Sequence, residues 1–237
     1  MNSQPQVASG TLVKHPGPPL WLLAVLYTVL FNAGLFPVTM YGGMAYWPGP
    51  WQPPADIIHF FQTQTTRVLA CVFLQTGAVV CLGLFTAVVV SRLQFLGIRA
   101  AGVYIALLGG FWTVFDSIAG GMATWTLIRP VIAQTPSSIL ALNSFSYALG
   151  GPGFSIPMGL LMAGVSVSAG LSKLIPKWVM ILGLVLAAAG ELSVLHLIFP
   201  QLLFLIPLTR FPGFIWIVAV GFALPNSRRE QPAAMAA

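Results

Sequence analysis

Three ionisable residues fall inside long apolar stretches of this chain: Asp116, Glu191 and Arg210. A charge at membrane depth is costly, so such a residue has by default a function and a partner. Arg210 carries a planar fork of donors suited to a carboxylate or an anionic head group. Asp116 and Glu191 are of a type that can give and take protons. Gln75 and His196 add hydrogen-bonding groups at similar or shallower depth, and Asp56 and His59 belong to a loop that hangs above them. Together these residues predict a polar pocket open to the outside, with Glu191, Arg210 and Asp116 at its floor.

Glu191 and Arg210 sit either side of a tight turn at Pro200-Gln201. At 1.5 Å per residue each lies about 12–14 Å below the outer surface, which predicts an ion pair between them. That pair also has a purely structural reading, since polar contacts commonly hold membrane helices in register. Asp56 and His59, three apart, face one side of a helix. Two ligands do not make a zinc site, and no H-E-x-x-H or C-x-x-C spacing exists, so no metal is expected. Asp56 in a first helical turn is favourable on electrostatic grounds alone. A phosphate-binding loop and a G-x-S-x-G elbow are both absent from the sequence, and no cofactor is expected.

The elements that must position these groups follow from composition. Of 237 residues, 57% are hydrophobic and 6% charged, with a mean hydropathy of +0.90. Soluble domains carry about a quarter charged residues, which excludes a soluble enzyme or a nucleic-acid-binding domain. Runs of about 20 apolar residues span a bilayer, and six are present: 20–40, 68–90, 100–125, 154–171, 178–199 and 202–224. The fold class is therefore all-α, a polytopic membrane protein of six transmembrane helices. It divides into a disordered tail (1–19), one membrane domain (20–225) and a second disordered tail (226–237). Lys14, Arg92, Arg99, Lys173, Lys177, Arg228 and Arg229 fall on one side, and Arg67 and Arg129 on the other. By the positive-inside rule both termini are cytoplasmic.

The first run is too long for a signal peptide and lacks an A-x-A site, so it reads as an uncleaved span. Cys71 and Cys81 fall on different faces of one helix and read as packing residues. The first outer loop contains Tyr46-Trp47-Pro48-Gly49-Pro50-Trp51, too Pro-rich for a helix, with rings suited to a membrane interface. A short helix is expected over 55–66. In the third loop, 137–149 reads as an amphipathic interfacial helix lying at the surface, stopped by Gly150-Gly151-Pro152-Gly153. Pro207 and Pro212-Gly213 interrupt the sixth span, with no counterpart in the third, which counts against a transporter built from two halves.

The stretch from Gly159-Leu160-Leu161 through Ser172-Lys173-Leu174-Ile175-Pro176-Lys177-Trp178 to Gly183-Leu184-Val185-Leu186-Ala187 resembles small bacterial six-span membrane proteins of the DUF4386 family. In these a Gly-rich span, a short basic loop with an aromatic residue, and a Gly-Leu-rich span follow one another. The resemblance implies six spans in a bacterial plasma membrane, with no activity or site residue attached. Three functions remain open. The chain binds or moves a small or lipidic molecule through the outer pocket. Or it is an intramembrane enzyme acting on a lipid or isoprenoid with Asp116 and Glu191. Or it is a structural subunit of a membrane complex. In each case its partner is the lipid bilayer, not nucleic acid.

Overall fold

The computed structural model describes residues 11–39 and 46–229. Six segments are long and apolar enough to cross a membrane: Leu20–Val38, Thr65–Phe95, Ala101–Leu127, Pro136–Leu171, Lys177–Leu197 and Pro200–Ala223. Their main helices are α1 (Leu20–Leu35), α3 (Thr65–Phe95), α4 (Ala101–Leu127), α7 (Pro152–Leu171), α8 (Lys177–Leu192) and α9 (Leu205–Ala223). Packing closes them into a ring in the order α1, α3, α4, α7, α8, α9, with α7 also touching α3 and α9 across the middle. Apolar side chains fill the interior: Tyr27, Leu82, Phe85, Leu161, Val165 and Trp216 are all nearly inaccessible. At one end, α2 (Pro54–Thr63) caps the bundle by burying Ile57, Phe60 and Phe61 beside Leu127 and Ile139.

The fourth span differs from its sequence reading. The segment 137–149 is helical, as α6 (Pro136–Gly150), after a single turn, α5 (Pro130–Ala133). It does not lie along the surface. Thr124 of α4 bonds Ser146, Gly120 abuts Leu149 and Gly150, and Asp116 abuts Gly153. Further along, Gly109 meets Pro157 and Leu161, and Ala106 meets Gly164. The residue numbers of these partners sum to about 270 all along α4, the mark of one antiparallel helix pair in constant register. So α6 and α7 are two halves of one span, broken at Gly150-Gly151-Pro152. α6 carries a polar stripe, Asn143, Ser146, Tyr147 and Gly150, at helical spacing. In the structure that stripe faces the protein interior: Asn143 and Ser146 are buried and Tyr147 is half-buried.

The sixth span is the reverse case. Pro207 falls in the first turn of α9, where a missing N–H costs nothing, and the helix runs unbroken through Pro212.

Two short strands flank the bundle. β1 (Leu12–Lys14) pairs antiparallel with β2 (Ser227–Arg229), so these two segments lie on one face of the bundle. Arg92, buried at the foot of α3, donates to the Leu224 carbonyl at 3.2 Å. Arg228 donates to the Phe95 carbonyl at 2.8 Å and lies over the Phe95 ring. A cation capping the last carbonyls of α3 satisfies groups the helix leaves unpaired. His15 Nδ1 accepts the Gly17 N–H, which puts the imidazole proton on Nε2, 2.9 Å from Ser91 Oγ.

Burial first, then the Arg92 charge, lower the His15 pKa below its usual 6.5. The released tail then binds a proton more readily than the docked one, so docking is complete above pH 6.5 and weakens as pH falls below it. The hydrogen-exchange protection of residues 12–14 and 227–229, corrected for the intrinsic rate at each pH, should fall on acidification, and His15→Gln should remove that dependence. In the α4–α7 seam, a Cβ at Gly109 would stand 2.5 Å from both Leu161 N and Pro157 O. Gly109→Ala should destabilise by about 1–3 kcal/mol in thermal melts, whereas Gly77→Ala, with its nearest neighbour 3.8 Å away, should not.

Candidate functional site

The break in the fourth span opens a cavity of about 350 Å³ at the end of the bundle opposite β1 and β2. Its walls are the outer halves of α1, α3 and α4, the facing stripe of α6, and the start of α7 and α9. The Trp47–Trp51 segment roofs it. The roof is fastened to α6 through Asn143: the Trp47 indole donates to Asn143 Oδ1 at 3.3 Å, and Asn143 Nδ2 reaches the Pro48 carbonyl at 3.5 Å. Trp47 also stands edge-on to Phe61 of α2, and Trp51 edge-on to Tyr147 of α6, each with ring centres 5.3 Å apart.

At the floor lies Arg210. Its Nη2 donates to the Gly150 carbonyl, the last of α6. Its guanidinium carbon sits 4.3 Å from the centre of the Phe154 ring and 5.6 Å from that of Phe31. Both are favourable placements for a cation over an aromatic face, and a positive charge suits the carbonyl end of a helix. Among the described residues no carboxylate forms an ion pair with it. Its Nε is buried without a hydrogen-bond partner among those residues.

The expected Glu191–Arg210 pair is therefore not formed. Glu191 Oε1 packs on α7 at Gly159, five residues from the Phe154 that meets Arg210. Five residues turn a helix through about 500°, which puts the two contacts about 140° apart around α7. Similar depth brought both residues to the first half of α7, but α7 stands between them. Glu191 is itself exposed on the outside of the bundle.

The remaining predicted residues divide. Gln75, on α3, lines the cavity. Asp116 is buried on α4 and does not line it; its Oδ2 packs against Gly153 at the amide end of α7. A carboxylate there complements the positive end of that half-helix. Asp116 and Glu191 thus meet different faces of α7 and form no acid–base couple. His196, on the 3₁₀ turn Ser193–Leu197, touches the site through Tyr147: its Nε2 lies 2.8 Å from the Tyr147 hydroxyl. Asp56 and His59 lie on α2, outside the cavity.

Sequence reasoning passed over Asn143, Tyr147, Trp51 and Phe154. The signal for the first two was the polar stripe on α6, assigned to water instead of to an internal cavity. A double-mutant cycle of Glu191→Gln with Arg210→Met, followed by thermal melting, should give a coupling below about 0.5 kcal/mol, the additivity expected of separate sites.

No family model, curated protein or solved structure matches this chain.

Proposed function

We propose that this integral membrane protein binds, and by bending at the break in its fourth span moves, a small amphiphilic anion. The observation that carries this reading is Arg210: a cation at the floor of a cavity, held by one carbonyl and two aromatic faces, with no carboxylate among the described residues to pair it. A buried charge without a counter-charge is costly, and an anionic ligand would supply one. The opening of α7 adds to the attraction. Gly151 and Phe154 line the cavity, and helix N-termini of broken spans commonly face anionic substrate groups. Leu35, Val72, Val79 and Ile206 offer the apolar surface that a hydrocarbon body would cover.

The basic residues favour cytoplasmic termini, so the cavity would face the outside of a bacterial plasma membrane. This accords with the six-span bacterial proteins that residues 159–187 resemble. The enzyme reading loses its proposed acid–base pair, because Asp116 and Glu191 sit on different sides of α7.

The test uses decanoate against decanol, added to the full chain in mild detergent, with the change in tryptophan emission as the readout; of the seven tryptophans, Trp47 and Trp51 line the cavity. Decanoate should bind and raise the melting temperature of the wild type, and Arg210→Met should lose at least about tenfold in affinity, the worth of a hydrogen bond to a charged group. Equal binding of decanoate to both proteins would overturn the reading. Native mass spectrometry should find a co-purified anionic amphiphile on the wild type and not on Arg210→Met.

A further inference from the structure

We propose that Tyr147 is the second group holding the anion, with His196 turning its hydroxyl proton into the cavity, and that the anion is a carboxylate on an apolar body. This rests on the reading of the cavity as an anion site and deepens it.

Tyr147 Oη and His196 Nε2 lie 2.8 Å apart, so one of the two atoms donates. If Tyr147 donates, a neutral imidazole must carry its proton on Nδ1, and Nδ1 is buried with no partner among the described residues. An orphaned buried N–H is the costlier defect, and such donors are rarer than orphaned acceptors. The proton therefore belongs on Nε2, which donates to the phenol oxygen. Tyr147 then keeps its own O–H for another acceptor, and among the described residues no second partner takes it.

Its position supports the assignment. Tyr147 lines the cavity together with Arg210, three residues before the Gly150 whose carbonyl Arg210 binds. Trp51 braces the ring edge-on from the roof, while the α6 backbone that carries it is latched to Arg210 at Gly150. Two donors of fixed position result, one charged and one neutral. A carboxylate offers two oxygens to match them. A phosphate monoester would bring more charge and a third oxygen, and among the described residues lining the cavity Arg210 is the sole cationic side chain. Arginine carries five N–H donors, so it can hold the ligand without releasing the Gly150 carbonyl.

His196 acts through Tyr147 and is a positioning residue, which sets the design of the experiment. The full chain in mild detergent is titrated with decanoate, decanol and decyl phosphate, reading tryptophan emission. Tyr147→Phe should weaken decanoate binding by about tenfold and leave decanol unchanged. His196→Leu should weaken decanoate by a similar factor in the wild-type background and have no effect in the Tyr147→Phe background. His196→Gln, whose amide N–H replaces the Nε2 donor, should restore binding.

If Arg210→Met abolishes decanoate binding while Tyr147→Phe binds it like wild type, the role of Tyr147 is wrong and the anion site stands. If neither change matters, both are wrong. Equal loss of decanoate and decanol in Tyr147→Phe would reduce the residue to packing. Tighter binding of decyl phosphate than of decanoate would overturn the carboxylate. Should Tyr147→Phe fail to elute with the wild type, His196→Leu and His196→Gln decide instead: weak binding by the first and wild-type binding by the second support the role of Tyr147, and equal binding by both overturns it.

Discussion

A break in a helix at membrane depth leaves backbone groups that hydrocarbon cannot satisfy, and much of this structure answers that one constraint. At Gly150-Gly151-Pro152 the fourth span stops and restarts. The Tyr147 carbonyl accepts Gly151 N at 2.7 Å, and Ser155 N bonds Gly151 O at 3.1 Å. Pro152 has no N–H to lose at the start of α7. The Gly150 carbonyl goes to Arg210 and the amide end of α7 faces Asp116. Asp116 and Arg210 are thus explained by the two ends of one interrupted helix, each matching the sign of the end it meets.

Irregular backbone is tolerated within a membrane only where protein or an internal cavity surrounds it. Here both conditions hold. α4 provides the protein side, staying in register with both halves of the span through Gly120, Gly109 and Ala106. The other side is the cavity, closed above by the Trp47–Trp51 segment and its bond to Asn143. The roof, the stripe on α6 and the Arg210 latch form one connected set. A displacement of α6 about Gly151 would move the roof, Tyr147 and the partner of Arg210 together.

The same packing separates what was legible in the sequence from what was not. Six apolar runs mark six spans, because the length rule depends on composition alone. Counting residues at a known rise also placed Glu191 and Arg210 against one stretch of the bundle, and both meet the first half of α7, at Gly159 and Phe154. Azimuth was not legible. Which way a side chain points depends on the packing of the whole ring, and α7, the helix that reaches inward, came between the presumed partners. The α6 stripe failed for a related reason: a polar face predicts a polar neighbour but does not say whether that neighbour is water or an internal cavity. The prolines misled in the sixth span because position decides their effect. Pro207 in a first turn is harmless, whereas Gly150-Gly151-Pro152 in mid-span is not.

A cation fixed by its helix carbonyl on one side and by two aromatic rings on another retains donors that no described residue takes up. Cation–π contact offsets about 0.5–2 kcal/mol, and one carbonyl bond to a charged donor adds about 1.5–3 kcal/mol. Desolvating a guanidinium costs several kcal/mol, so these contacts come near to balancing it without exceeding it by much. A carboxylate arriving in the cavity would tip that balance toward the folded state. The interaction that stabilises the break would then be the same one that recognises the ligand, which ties occupancy of the site to the conformation of the fourth span.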